Sequence, residues 1–154
     1  MRKPARIAVP LLIGIVVVMQ FFQPEKNQGE ATESDMVSML EAPERVADVL
    51  KNSCYDCHSN HTEYPWYSRI SPVSWFMNMH VTSGREELSF SEYGKLEKSG
   101  QIGVLSDICD VVESGSMPLK SYLLMHGNAR LDQAAKEALC DWTDEEAMKM
   151  LRKD

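Results

Sequence analysis

The sequence lacks both a convincing strand pattern and an excess of positive charge. No stretch alternates apolar and polar residues over a convincing length, which favours an all-α domain. The formal net charge is −7, from 16 basic and 23 acidic side chains. Without the three N-terminal basic residues, 13 basic side chains remain against 23 acidic ones, which gives −10. We therefore expect no nucleic-acid partner, and we expect a protein partner to present a basic docking face.

The N-terminal segment combines basic and apolar character. Residues 1–6 carry three basic side chains, and residues 7–22 form an apolar run interrupted only by Gln20. The run lacks a small-x-small cleavage site, so an uncleaved signal anchor is favoured over a cleaved signal peptide. The prediction is a transmembrane helix over residues 1–22 in the cytoplasmic membrane. Its basic end would lie in the cytoplasm, and the following chain would face the periplasm or cell exterior.

The remaining chain is predicted to consist of a polar tether over residues 23–34 and one helical domain over residues 35–154. Helices are expected to begin near Ser34, Pro43 and Asp132 and at Ser71, with Gly84 ending the helix that starts at Ser71. Apolar residues at helical spacing predict the faces that these helices bury. They are Val46, Val49, Leu50, Val73, Phe76, Met77, Ile102, Leu105, Ile108, Val112, Ala135, Ala138, Leu139 and Trp142.

The motif Cys54-Tyr55-Asp56-Cys57-His58 has the C-x-x-C-H pattern of c-type haem attachment. Two thiols at this spacing can add across the two haem vinyl groups, while the adjacent imidazole reaches the iron. The predicted cofactor is therefore covalent haem c with its iron. Zinc bound by both thiols and two of His58, His61, Cys109 or Cys140 is an alternative. A redox dithiol is a weaker one, because no strand–helix alternation surrounds the motif.

A methionine followed by proline, Met117-Pro118, lies on a predicted loop before the last helix. A thioether is a soft donor that favours ferrous iron, and proline stiffens the backbone next to it. Met117 is therefore the predicted second axial ligand opposite His58. His80 is the alternative ligand on a helix, and Met125 and His126 are the nearby competitors.

Several other residues have open roles. Cys109 and Cys140 either form a disulfide or remain buried thiols, and the sequence does not decide between the two. Aromatic side chains after the motif either contact haem or pack an irregular loop. They are Tyr64, Trp66 and Tyr67, with Tyr122 as a later candidate. Arg69 is a candidate partner for a haem propionate, and His61 is expected at the surface.

Five stretches together resemble a known family. They are SCYDCHSN (53–60), YPWYSRISPVSW (64–75), GREELSFSEY (84–93), MPLKSYLLMH (117–126) and ALCDW (138–142). The chain is similar to the small bacterial haem-binding domain family of monohaem c-type cytochromes. The resemblance implies an exported, often membrane-anchored, all-helical protein. It implies haem attachment through Cys54 and Cys57 and iron ligation by His58, whereas Met117 follows the general cytochrome c pattern.

The predicted fold is thus all-α, a small cytochrome c-like helical domain preceded by the anchor helix. The predicted function is one-electron transfer by a membrane-tethered monohaem cytochrome, without enzyme activity. Iron held by two protein ligands has no free site for a substrate, which suits an electron carrier. The alternative is a haem sensor or peroxidase-like protein with an open distal site, in which His80 would serve as acid/base or exchanging ligand.

Overall fold

The computed structural model describes residues 3–152, and its ordered elements are helical. The α-helices are α1 (Lys3–Met19), α2 (Met36–Met39), α3 (Glu44–Ser53), α4 (Tyr55–His58), α5 (Val73–Glu87), α6 (Lys98–Glu113), α7 (Lys120–Leu123) and α8 (Gln133–Arg152). Short 3-10 helices cover Trp66–Arg69, Phe90–Lys95 and Gly127–Ala129. Over the described range no strand forms, and the one β-bridge joins Gln28 to His61. The all-α prediction is confirmed.

The hydrophobic core lies where α8 packs against both α6 and α3. The stripe predicted on α6 is buried at Leu105, Ile108 and Val112, and α8 buries Leu139 and Trp142. Burying each such side chain contributes about 1.5–3 kcal/mol, so this layer supplies much of the stability of the fold. The α8 start is also as predicted, because the Asp132 carboxylate accepts a hydrogen bond from the Ala135 amide at 2.7 Å.

A disulfide joins α6 to α8. Cys109 and Cys140 are bonded, and their Cα atoms lie 4.9 Å apart. The bond ties together helices that also pack through the core. It resolves the alternative that the sequence left open, and it leaves Cys54 and Cys57 as the free cysteines of the chain.

The N-terminal helix α1 is shorter than the predicted anchor. It spans 17 residues and includes Lys3 and Arg6. At 1.5 Å per residue, it is about 25 Å long, against a hydrocarbon core of about 30 Å. Within residues 3–152, no helix combines the length and apolar character needed to cross a membrane. The prediction of a transmembrane anchor helix is therefore wrong.

The physical reason is that the chain leaves the helix after Met19 and bonds to the domain. The Gln20 side chain donates to the Ser71 carbonyl at 3.2 Å and accepts from the Ser71 amide at 3.0 Å. The Gln23 amide donates to the Ser71 hydroxyl at 2.8 Å, and the Trp75 indole donates to the Phe22 carbonyl at 2.6 Å. Residues 20–23 therefore bond to the domain, whereas a spanning helix would need them for a further helical turn.

The segment that follows is extended and lies along the domain. The Asn27 side chain donates to the Ser59 carbonyl and the Thr62 hydroxyl, both at 2.9 Å. The Gly29 amide donates to the Asn60 carbonyl at 2.7 Å. Residues 27–29 therefore hold the loop that leaves the C-x-x-C-H motif.

Candidate functional site

The C-x-x-C-H motif lies at a break between two helices. Helix α3 ends at Ser53, and the Cys54 amide still donates to the Leu50 carbonyl at 2.9 Å. The next turn, α4, begins at Tyr55, and the His58 amide donates to the Cys54 carbonyl at 3.0 Å. Residues three and four positions apart share one face of a helical turn, so both thiols and the imidazole lie on the same side.

This face opens onto a cleft that we call the motif cleft. It consists of two adjoining cavities of about 300 Å³ and 410 Å³, which are both lined by Cys54, His58 and Met117. Ligand pockets typically measure roughly 300–1,000 Å³, so the cleft is large enough for a sizeable cofactor. The structure therefore brings the predicted ligand Met117 to the same cleft as the motif, although the two segments are far apart in sequence.

The ring of His58 is oriented by a main-chain group. Its Nδ1 lies 3.0 Å from the Leu88 carbonyl oxygen, which can only accept, so Nδ1 carries the proton. The lone pair then resides on Nε2, the nitrogen left for a metal. A hydrogen bond from the other ring nitrogen is the usual way in which proteins orient a histidine ligand. The Leu88 carbonyl and the buried Phe90 ring, 5.8 Å away, thus fix the imidazole before any metal binds.

The two motif thiols are kept protonated by burial. Burial, and next the neighbouring Cys57, raise the pKa of Cys54 to about 12. Burial, and next the Asp56 carboxylate, raise the pKa of Cys57 to about 11. The thiolate is the form that attacks disulfides, so this environment disfavours a redox dithiol. Cys109 and Cys140 are further lost as zinc donors, because they are bonded to each other.

Gly84 allows α5 to approach the motif closely. A Cβ atom at this position would lie 2.7 Å from the Cys57 carbonyl oxygen and 3.2 Å from its Cβ. The expectation that Gly84 ends the helix is wrong, because α5 continues to Glu87. The glycine is needed for packing against the backbone of α4, and periodicity alone gave no signal for this contact.

The other predicted ligands are distributed over two sites. His80 lines the motif cleft. Met125 and His126 line a neighbouring cavity of about 150 Å³, which we call the side cavity, and they do not reach the motif cleft. His80 is shared by the two spaces.

A scan against protein-family models matches residues 14–145 to the haem-binding domain family. The chain belongs to the haem-binding domain family. No curated protein and no solved structure matches the chain. The family assignment covers the motif, the cleft and both halves of the core, and it confirms the resemblance at the level of haem binding.

The residues of the motif cleft fit haem. Two neutral thiols, an oriented imidazole with a free Nε2 and a thioether sulfur are the donors that an attached haem would require. The walls of the larger cavity include apolar side chains from α6 and the following loop, which suit a porphyrin face. They are Val104, Ile108, Val111, Val112 and Pro118.

The charge of the motif cleft is negative. Among the described residues that line it, Asp56, Glu87, Asp107 and Asp110 are acidic, and none is Lys or Arg. Negative charge near haem iron favours the ferric state over the ferrous state, because the ferric site carries one more positive charge. Arg69 lines neither cavity, so no contact supports the prediction that it pairs with a propionate.

A hydrogen-bonded group of aromatic side chains adjoins the motif cleft. The Tyr122 hydroxyl donates to the Asp56 carboxylate at 2.7 Å, and the ring of His126 stacks on Tyr122 at 4.1 Å. Nε2 of His126 lies 3.4 Å from the Tyr67 hydroxyl. Burial, followed by the hydrogen bond to Asp56, raises the pKa of Tyr122, so the phenol remains a donor. These aromatic side chains thereby fix Asp56, which lies between the two motif cysteines in the sequence.

The aromatic residues after the motif have different positions. Tyr67 lines the side cavity, and Tyr122 lines both that cavity and the motif cleft. Trp66 is 76% exposed and packs edge-on against Tyr67, whereas the Tyr64 hydroxyl accepts from the Asn27 amide at 2.9 Å. Of the residues proposed to wall the haem, Tyr122 is therefore the one that borders the cleft directly.

Proposed function

We propose that this chain is a monohaem c-type cytochrome that carries one electron at a time. Cys54 and Cys57 attach the haem, His58 binds the iron from one side, and Met117 binds it from the other. One observation supports this most strongly. His58 donates Nδ1–H to a main-chain carbonyl and opens its Nε2 toward a cleft that also contains two protonated thiols and Met117.

The attachment step needs only the two thiols and the two haem vinyl groups. Each cysteine sulfur would form a C–S bond to one vinyl carbon, and the thiol hydrogen would go to the neighbouring carbon. The vinyl double bond would become a single bond, so no oxidant or reductant would be consumed.

Haem, when bound, supplies an iron that alternates between the ferrous and ferric states. The protein contributes fixed geometry: the Leu88 carbonyl orients His58, and Pro118 stiffens the backbone beside Met117. A site whose ligands do not move between oxidation states exchanges electrons without chemical change in a substrate. Electron transfer rather than catalysis is therefore the role that we assign.

The cellular location that we propose lies outside the cytoplasm. The Cys109–Cys140 disulfide is typical of oxidising compartments, where disulfides persist. The negative charge of the chain and of its cleft favours a redox partner with a basic docking face, so association should weaken with salt.

The direct test is a haem stain of the matured protein on a denaturing gel, followed by a redox titration. Thioether bonds survive denaturation, so we expect a stained band and a reversible one-electron transition. The Cys54→Ser/Cys57→Ser variant should lose the stain, whereas Cys109→Ser/Cys140→Ser should retain it. A wild-type band that does not stain would refute covalent attachment.

A second candidate function is a haem sensor or peroxidase-like protein with an open distal site. The side cavity supports this alternative, because it adjoins the motif cleft and is lined by His80, Tyr67 and His126. Carbon monoxide added to the reduced protein distinguishes the two. Rapid stoichiometric binding would favour the open site, and resistance would favour the electron carrier.

A further inference from the structure

We infer that His80 is a reserve iron ligand, which occupies the sixth position whenever the Met117 sulfur leaves the iron. This inference rests on the proposed function, because it presumes a haem held by His58. His80 would be a second nitrogen donor in addition to His58, and its role would be to keep the iron closed to outside ligands.

The position of His80 follows from the close contact between α4 and α5. Gly84 lies against the Cys57 backbone, and His80 precedes it by four residues on the same helix face. One helical turn is about 5.4 Å, so the imidazole lies near the attachment site. The side chain borders the same cavity as Cys57, His58 and Met117.

The hydrogen bonding of His80 repeats that of His58. Its Nδ1 lies 2.9 Å from the Phe76 carbonyl oxygen, which must accept, so Nε2 carries the lone pair. Within residues 3–152, Nε2 of His80 has no hydrogen-bond partner, and the Phe76 ring lies 4.3 Å away. The ring is therefore oriented by the main chain, with its ligating nitrogen available.

The other two histidines do not share these features. His126 uses both ring nitrogens, Nδ1 at 3.1 Å from the Tyr122 carbonyl and Nε2 at 3.4 Å from the Tyr67 hydroxyl. His61 is exposed and borders neither part of the motif cleft. Of the four histidines, only His58 and His80 line the cleft with Nδ1 bound to a carbonyl.

The chemistry of the two donors makes the exchange useful. The thioether of Met117 is a soft ligand suited to ferrous iron, whereas imidazole binds both oxidation states. In the exchange one Fe–S bond breaks and one Fe–N bond forms, with no electron or proton transferred. His80 thus replaces a lost sulfur with a nitrogen, and the iron stays six-coordinate.

The test compares four haem-loaded proteins: wild type, Met117→Ala, His80→Ala and the double variant. We expect ferric Met117→Ala to remain low-spin, with an electron paramagnetic resonance signal typical of two nitrogen ligands. The double variant should become high-spin. In the ferrous state, carbon monoxide should bind Met117→Ala about tenfold or more weakly than the double variant, because bound His80 lowers the fraction of open sites.

The matched control is His61→Ala, which removes an exposed histidine that borders neither part of the motif cleft and should leave the wild-type spectrum unchanged. Circular dichroism confirms that each variant is folded. A high-spin Met117→Ala protein that binds carbon monoxide as tightly as the double variant would overturn the inference. Loss of the low-spin signal in His80→Ala alone would also overturn it, because His80 would then be the resident ligand. Failure of the proposed function differs from both outcomes, since wild-type protein would then carry no covalent haem.

Discussion

Replacing Gly84 with alanine tests whether close packing of α5 on α4 positions the haem attachment site. The new Cβ would lie 2.7 Å from the Cys57 carbonyl oxygen and 3.3 Å from its carbonyl carbon. Carbon contacts are favourable at about 3.5–4.0 Å, so α5 must move away by roughly 0.5–1 Å. Overpacking of this kind costs about 1–3 kcal/mol, against a gain of about 1 kcal/mol from better helix propensity.

Gly103→Ala is the matched control, because it makes the same substitution inside a helix with open space around the new atom. A Cβ at Gly103 would meet nothing within 4 Å. Alanine there should stabilise the protein by about 0.5–1 kcal/mol through helix propensity alone. Gly84→Ala gains the same propensity but also bears the overpacking cost, so its net destabilisation should be up to about 2 kcal/mol. The two variants should therefore differ by the overpacking cost, about 2 kcal/mol.

The assay is urea unfolding of the haem-loaded protein, read from the midpoint with the slope checked for constancy. With a slope of about 2 kcal/mol per molar urea, the midpoints of the two variants should differ by roughly 1 M. Gly84→Ala should also lower the yield of haem attachment, because the shifted helix displaces Cys57. Equal midpoints and equal haem yields for the two variants would refute the reasoning about this contact.

Three further predictions follow from the core and the cleft. Replacing both Cys109 and Cys140 by serine should lower the free energy of unfolding by about 3–4 kcal/mol at the observed separation of 31 residues, measured in urea. Tyr122→Phe removes the hydrogen bond to the Asp56 carboxylate and should cost about 1.5–3 kcal/mol in the same assay. Glu87→Gln removes a negative charge from the cleft and should raise the reduction potential by roughly 10–30 mV, measured by redox titration.

These predictions have their own controls. Glu86→Gln removes an equal charge from the neighbouring position, which does not line the cleft, and it should shift the potential less than Glu87→Gln. Equal shifts would mean that the reduction potential depends on the net charge of the protein rather than on the charge at the cleft. For the disulfide, wild-type protein treated with a reductant should show the same loss of stability as the double serine variant. For Tyr122→Phe, an unchanged unfolding midpoint would show that the hydrogen bond from Tyr122 to Asp56 does not stabilise the fold.

Local patterns predicted the features that depend on neighbouring residues in the chain. The C-x-x-C-H spacing identified the motif because one helical turn determines how its side chains are arranged. The α6 stripe predicted Leu105, Ile108 and Val112 as core because burial follows helical periodicity. Asp132 was identifiable as a cap because the cap contact spans only three residues.

Features that depend on distant contacts were missed or mispredicted. The role of Gly84 arises from the backbone of Cys57, which no periodicity reveals. The N-terminal helix was predicted too long, because Gln20 bonds to Ser71 on a segment far away in sequence. The Leu88 carbonyl that orients His58 is a main-chain group, so its side chain carries no signal of that role.

The central claim is that two half-buried thiols bind haem covalently beside an oriented imidazole, and one measurement tests it most directly. Matured protein is extracted with acid acetone, and the intact mass of the precipitated chain is then determined. The account predicts that the pigment stays with the chain and that its mass exceeds the polypeptide by one haem. It also predicts that the Cys54→Ser/Cys57→Ser variant loses the pigment and has the mass of the bare polypeptide. Colourless protein at the bare polypeptide mass, with the pigment in the acetone, would contradict the account.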